Sequence, residues 1–144
     1  MIEVFTLKQM DDITQASLEE AKRLALETAY PRDKNTKVGC VLETPSGNFS
    51  GANIKRWSWN NNTCAERMAI DQALFKGVPE LGRFVVYAIN QSNPSEEVTP
   101  PCGPCRDIIK DGLSSLGQED VGFVMTNASM TKVVTATLAD LLPL

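Results

Sequence analysis

The chain has 144 residues, of which 42% are hydrophobic and 22% charged, and its formal net charge is −4. This length and balance predict a single globular domain over residues 1–144, large enough to bury a core. Lysine and arginine are scattered along a chain of negative net charge, which argues against a nucleic-acid-binding surface, and no apolar run is long enough to span a membrane.

The N-terminal segment favours a cytoplasmic protein. Residues 1–5 lack the basic start and the long apolar stretch of a secretory signal. In the cytoplasm thiols stay reduced, and there paired cysteines more often bind a metal or act in catalysis than form disulfides. The four cysteines of this chain are therefore interpreted first as candidate metal ligands.

The first half of the chain predicts a helix followed by a hairpin. Apolar residues recur at helical spacing over 11–28. A capping box formed by Ser17 and Glu20 would place the start of this helix later. Two β-rich runs separated by turn residues then predict an antiparallel hairpin with strands at 37–43 and 49–54.

The second half alternates helices and strands. One helix is expected to have Thr63 as its N-cap and Gly77 as its C-terminal stop, and another to begin near Pro104, which suits a first helical position. Strands separated by helices predict an α/β fold with three layers, α/β/α, around a mixed sheet of roughly five strands. The predicted elements are helices at 63–76 and 104–116 and strands at 83–90, 121–126 and 132–137.

Three cysteines and one glutamate form the pattern with the clearest chemistry. Cys64 is followed two residues later by Glu66, and Cys102 and Cys105 bracket one turn of a predicted helix start. Thiolates are favoured at helix N-termini, and three of them hold a zinc ion while leaving one coordination position open, which is typical of catalytic rather than structural sites. The nearby carboxylate is suited to carry protons for a hydrolytic reaction.

Other interpretations of these residues remain open at this point. Cys40 lies in an apolar strand and is interpreted as a buried thiol, although a closed structural zinc site of four cysteines is an alternative. A glutamate in a first helical turn also complements the helix dipole without any catalytic role. Arg106, directly after Cys105, is either a solvated surface residue or a donor of hydrogen bonds to the sulfur atoms.

These residues resemble the cytidine deaminase family in its small three-cysteine zinc form, to which the blasticidin-type deaminases are close relatives. The resemblance implies a three-layer α/β/α fold, a hydrolase that acts on C–N bonds of cyclic amidines in pyrimidine salvage, and a homotetramer with active sites built across subunits. The segments that carry it are Val38-Gly39, Gly51-Ala52-Asn53, Cys64-Ala65-Glu66-Arg67, Pro101-Cys102-Gly103-Pro104-Cys105-Arg106 and Leu141-Leu142-Pro143.

The resemblance also implies roles for single residues. Glu66 would be the catalytic proton carrier, and the backbone N–H of Ala65 would bind the carbonyl of the pyrimidine ring. Asn53 would bind a sugar hydroxyl, although a turn residue at this position is an equal alternative. The implied ligands of Zn²⁺ are Cys64, Cys102 and Cys105, with Arg106 supporting them from outside the metal shell.

The segment expected to recognise the sugar departs from the family pattern. After Asn53 the family has an aliphatic and then an acidic residue, whereas this chain has Ile54, Lys55 and Arg56, so a base replaces the acid. Lys55 and Arg56 are either solvated loop charges or partners for a phosphate or carboxylate on a different substrate. Trp57 and Trp59 stack on a ring in one interpretation and pack in a core or interface in the other.

The sequence therefore predicts zinc-dependent hydrolytic deamination of cytidine or deoxycytidine to uridine or deoxyuridine, with release of ammonia. The alternative is a deaminase of a modified cytosine compound, as in the blasticidin-type enzymes, or of another aminopyrimidine. A non-catalytic, zinc-stabilised binding module is the less favoured reading. The expected partner is a small pyrimidine nucleoside, with no nucleic acid and no membrane.

Overall fold

The computed structural model describes residues 1–30, 36–56, 62–90, 97–101 and 103–141. Every helix and strand predicted from the sequence is present, with ends within two residues of those expected. In the part of the chain described, no helix has the length and apolar character needed to cross a bilayer. The elements are β1 (Glu3–Phe5), α1 (Asp12–Thr28), β2 (Thr36–Thr44), β3 (Gly47–Ala52), α2 (Ala65–Phe75), β4 (Arg83–Asn90), α3 (Gly103–Leu116), β5 (Gly122–Thr126), β6 (Val133–Thr137) and α4 (Leu138–Leu141).

The strands form one mixed sheet in the order β1-β6-β5-β4-β2-β3. Strands β4 and β5 are parallel, as expected for strands joined by a crossover helix, and the other neighbours are antiparallel. The mixed sheet is confirmed, but it has six strands instead of roughly five. The additional strand, β1, is largely exposed and only three residues long, so it carries no alternating apolar pattern.

Helices cover both faces of this sheet, which confirms the three-layer α/β/α architecture. Alternate residues of a strand point to opposite faces. Val41 and Val85 pack with α1 on one face, whereas Leu42, Phe84 and Val86 pack with α2 and α3 on the other. The sheet thus separates two hydrophobic clusters, and the larger one lies beneath the two helices whose N-termini carry the cysteine motifs.

A partly buried polar network fixes α1 to the sheet. The helix begins at Asp12, because the Asp11 carboxylate accepts a hydrogen bond from the Thr14 backbone N–H at 2.8 Å. The alternative start at a capping box with Ser17 is wrong, since the buried Ser17 hydroxyl instead donates to Glu43 at 2.6 Å. Arg83 donates to the same Glu43 carboxylate at 2.5 Å.

Helix α1 lies directly against the sheet at Gly39 in β2. A Cβ atom at this position would lie 1.9 Å from the Ala21 carbonyl oxygen and 2.7 Å from the Ala25 backbone nitrogen. Both are backbone atoms of a helix, so they cannot move aside alone. Glycine is therefore required here for close packing of the helix on the strand.

We expect Gly39→Ala to lower the free energy of unfolding by about 1–3 kcal/mol, because the added methyl group overpacks a helix–sheet contact. Gly122→Ala is the matched control, since a Cβ at 122 would meet its nearest atom, in Arg83, at an ordinary 3.5 Å. Urea unfolding followed by circular dichroism measures both. Equal losses in the two variants would contradict the packing argument.

Candidate active site

A cavity of about 280 Å³ opens where β2 and β4 meet the first turns of α2 and α3. It lies on the side of the sheet that carries both cysteine motifs. The residues predicted for the site meet here, because five of them line this one cavity: Asn53, Cys64, Ala65, Glu66 and Cys105. Sequence positions as far apart as Asn53 and Cys105 are thus brought together by the packing of two helix N-termini.

Cys64 is the N-cap of α2, with extended backbone angles of φ −82° and ψ 152°. The prediction of Thr63 as N-cap was wrong by one residue. Thr63 instead pairs with Ile54, and the two backbones exchange hydrogen bonds of 2.8 and 2.9 Å. This short bridge delivers Cys64 to the helix N-terminus, where the helix dipole and the unpaired N–H groups favour a thiolate.

The first turn of α2 lies directly on β3. A Cβ atom at Gly51 would lie 2.1 Å from the Ala65 carbonyl oxygen. Farther along the helix, the Gln72 side-chain amide donates to the Ser50 carbonyl oxygen at 2.7 Å. These contacts fix the height of Cys64, Ala65 and Glu66 above the sheet.

Glu66 is buried in the cavity wall, with only 4% of its surface exposed. Burial, together with the negative charge of Cys64, raises the pKa of Glu66 to about 7, and a hydrogen bond from its own backbone N–H opposes part of this shift. A carboxyl group with a pKa near neutrality both accepts and releases protons readily. This behaviour suits the predicted proton carrier better than a residue that only complements the helix dipole.

The predicted zinc ligands are partly within the described residues. Cys105 is buried in the first turn of α3 and lines the same cavity as Cys64, whereas Cys102 lies outside the described residues. Two sulfur donors from separate helix starts, with a third cysteine one turn before Cys105 in sequence, fit the donor set that zinc prefers.

Cys40 has a different environment from the other described cysteines. It is fully buried in the core cluster under α2 and does not belong to the cavity lining that the described residues form. Burial, with a smaller contribution from the charge of Glu66, raises the pKa of the Cys40 thiol well above its usual value. These features favour a neutral core thiol over a fourth zinc ligand.

The Asn53 side chain connects two segments of the cavity wall by hydrogen bonds. Its side-chain oxygen accepts from the Val38 backbone N–H at 2.8 Å, and its amide nitrogen donates to the Thr36 carbonyl oxygen at 2.8 Å. The amide nitrogen has a second N–H that the bond to Thr36 does not use. The structure therefore gives Asn53 a positioning role on β2 that neither sequence-based alternative included.

The hydrogen bonds of Arg106 connect two backbone segments near the site. Its guanidinium group donates to the Pro101 carbonyl oxygen at 2.9 Å and to the Leu141 carbonyl oxygen at 2.6 Å. The sequence had suggested the sulfur atoms as acceptors, whereas these two bonds fix the residue before Cys102 against the end of α4. Trp57, Trp59, Leu142 and Pro143 lie outside the described residues.

Sequence reasoning missed the apolar floor of the cavity. Val86 and Ala88 line it from β4, and Val38, which pairs with Ala88, lines it from β2. Their positions follow from the alternation of strand side chains, because Val86 and Ala88 point to the same face as the core residue Phe84. The register between β2 and β4, which places these residues side by side, has no local sequence signal.

Comparison with known proteins gives a consistent family. A family model described as the cytidine and deoxycytidylate deaminase zinc-binding region matches residues 12–113. Curated cytidine deaminases from Halalkalibacterium halodurans and Sporosarcina psychrophila are 38% and 32% identical over 60% and 64% of this chain. The matches span 63% and 64% of those relatives, which is less than two thirds of their length. A blasticidin-S deaminase from Bacillus cereus is 26% identical over 99% of this chain and 96% of its own.

Solved structures agree with this comparison. The crystal structure of cytidine deaminase from Burkholderia pseudomallei has a TM-score of 0.73 and 33% identity, with 93% of this chain and 98% of that chain covered. The cytidine deaminase from Bacillus anthracis, at 21% identity and a TM-score of 0.66 over 92% of this chain and 88% of that chain, supports the fold alone.

We expect Cys64→Ser and Cys105→Ser each to weaken zinc binding by more than the roughly 10–100-fold loss typical of a change outside the metal shell, because each removes a sulfur donor. Cys40→Ala is the matched control and should retain the zinc content of the unmodified protein. Metal analysis of the purified proteins by mass spectrometry measures the stoichiometry. Loss of zinc in Cys40→Ala, with normal folding by circular dichroism, would indicate a closed site of four cysteines.

Proposed function

Because this chain belongs to the cytidine and deoxycytidylate deaminase family, we propose that it catalyses the hydrolytic, zinc-dependent deamination of cytidine and deoxycytidine to uridine and deoxyuridine, with release of ammonia. The proposal rests mainly on one observation. A buried carboxyl group, Glu66, shares a small cavity with cysteines from the starts of two helices. A carboxyl group beside a sulfur donor set is suited to metal-assisted hydrolysis.

Cys64 and Cys105, with Cys102, would hold the zinc ion. When bound, zinc acts as a Lewis acid that makes a water molecule nucleophilic at neutral pH. The charge of three thiolates opposes this effect, and the N-termini of α2 and α3 offset part of that charge because their dipoles place partial positive charge at the sulfur atoms. Arg106 supports the arrangement from outside the metal shell by fixing the carbonyl group of Pro101.

Glu66 moves the protons of the reaction. It would accept a proton from the water that attacks C4 of the pyrimidine ring and deliver it to N3. It would then take the second proton from the new hydroxyl group on C4 and pass it to the amine, so that the C4 carbonyl forms as the C–N bond breaks and ammonia leaves. Its burial keeps bulk water away from these transfers. Ala65, at the first position of α2, has a backbone N–H without a partner inside the helix, and this N–H binds the ring carbonyl.

The cavity walls suit a small planar ring. Val38, Val86 and Ala88 provide an apolar floor, and the second N–H of the Asn53 amide is available to a sugar hydroxyl. A mostly apolar pocket with a few placed polar groups is the usual form of a small-molecule site. These features support an aminopyrimidine nucleoside as the substrate.

A second candidate substrate is a modified cytosine compound. The blasticidin-S deaminase from Bacillus cereus aligns with 99% of this chain, whereas the curated cytidine deaminases named above align with 60% and 64%. The reaction at C4 would be the same, and only the group attached to the ring would differ. The sugar-facing residues, and not the catalytic ones, therefore distinguish the two candidates.

We expect the zinc-loaded protein to convert cytidine and deoxycytidine at least as fast as free cytosine or blasticidin S, measured by loss of ultraviolet absorbance and by ammonia release. Glu66→Gln should fold and retain zinc but lose roughly 10²–10⁴-fold in kcat, because proton transfer is removed. If the protein deaminates blasticidin S and leaves cytidine unchanged, the second candidate replaces the first. Unchanged behaviour of Glu66→Gln, without turnover in either protein, would support a non-catalytic binding module.

The single domain over residues 1–144 is proposed to act in the cytoplasm, in pyrimidine salvage, as a homotetramer. Reduced thiols, which the sulfur donor set requires, are maintained in that compartment, and cell fractionation tests the location.

Large apolar side chains are exposed at both β1 and the end of α2, and such surface supports association of chains. The exposed large apolar residues at these two places are Met1 and Ile2, directly before β1, Val4 within it, and Phe75 at the last position of α2.

We expect light scattering at micromolar concentration to give the mass of four chains of 15.8 kDa each. Phe75→Ser should shift the distribution toward smaller species, because it removes one of the exposed apolar side chains. Lys110→Ser, an exposed position on α3, is the control. The mass of one chain at all concentrations would contradict the tetramer.

A further inference from the structure

The cavity carries a positive charge that the deamination chemistry does not use. Lys55 is half-buried and lines the cavity together with Glu66. Of the described residues that form the lining, Lys55 is the single cation and Glu66 the single carboxylate. The Lys55 ammonium group has no ion pair or hydrogen bond with another side chain among the described residues.

The backbone of Lys55 is fixed, so its place in the cavity is not that of a loose loop. Its N–H donates to the Tyr30 carbonyl oxygen at 2.8 Å. The preceding residue, Ile54, pairs with Tyr30 on one side and with Thr63 on the other. Because Ile54 pairs antiparallel with Thr63, the residue before Ile54 lies opposite Cys64. Lys55 therefore lies two residues, roughly 7 Å, along the strand from the position opposite Cys64. This separation places it toward the part of a nucleoside that lies beyond the ring.

A second cation stands beside Lys55. The Arg56 guanidinium group donates to the Thr63 hydroxyl at 2.7 Å, and its backbone N–H donates to the Asn62 side-chain oxygen at 2.6 Å. Both acceptors belong to residues that line the cavity. Arg56 is exposed and does not itself belong to the lining that the described residues form, whereas Lys55 is half-buried within a largely apolar cavity. A positive charge in that position is costly to desolvate unless an anion approaches it.

We propose that Lys55 recognises an anionic group, a phosphate or a carboxylate, on the sugar side of the aminopyrimidine. This inference rests on the proposed function and adds a specificity-determining residue to it. A charge-assisted hydrogen bond to a lysine ammonium group is stronger than a neutral one, and a partly enclosed site strengthens it further. The substrate class is then an anionic cytosine nucleoside, in preference to its neutral parent.

The test compares kcat/KM for cytidine, cytidine 5′-monophosphate and cytidine oxidised to its 5′-carboxylate. We expect the unmodified enzyme to prefer at least one anionic compound by roughly tenfold or more, and the preferred compound identifies phosphate or carboxylate as the group. Lys55→Gln should lower the ratio of anionic to neutral kcat/KM by roughly tenfold, Lys55→Arg should largely restore it, and high salt should reduce it. Lys110→Gln, which removes an exposed charge on α3, should leave the ratio as it was.

The outcomes separate this inference from the proposed function. Turnover of cytidine with no preference for either anionic compound, or a preference that survives Lys55→Gln, overturns the inference and leaves the deaminase. If no compound is deaminated, the proposed function fails, and calorimetric binding of uridine and uridine 5′-monophosphate then decides the role of Lys55. Tighter binding of the monophosphate that Lys55→Gln abolishes supports the role, and equal binding of the two compounds overturns it.

Discussion

The first turn of α2 contacts β3 with no space for a side chain between them, and the arrangement of the reactive groups depends on this contact. The Ala65 carbonyl oxygen would lie 2.1 Å from a Cβ atom at Gly51. Helix and strand are both stiff elements, so the contact fixes the position of the helix N-terminus. As a result Cys64 lines the cavity, and Glu66 lies in the wall with 4% of its surface exposed.

The cavity separates two electrostatic tasks along its length. Glu66 lies at the end formed by helix N-termini, where burial brings its pKa to about 7. Lys55 lies on the other side of the bridge between Ile54 and Thr63. Under the proposed function, chemistry at the ring and recognition beyond the ring would belong to different backbone segments. Substitutions in the recognition segment would then change the substrate without disturbing the proposed proton carrier.

The parts of the structure that depend on local pattern could be predicted, and those that depend on distant partners could not. Spacing within one or two neighbouring elements predicts the bounds of α1, the hairpin, and the placement of Cys64 and Glu66 at the start of one helix. The acceptors of Arg106 and the bonds of Asn53 to β2 arise only after remote segments pack together. Strand β1 was missed for the same reason, because three residues, two of them exposed, become a strand only through β6.

The pairing of β1 with β6 also determines the order in which the protein is able to complete its sheet. Val4 pairs with Val134, so the first strand leaves the ribosome about 130 residues before its partner. At synthesis rates of roughly 5–20 residues per second, this interval is about 7 to 26 seconds. During that time β1 has no partner strand, and its backbone N–H and C=O groups are open to other chains or to chaperones. In a newly made molecule β1 is therefore synthesised before the other strands of the sheet but is the last of them to pair.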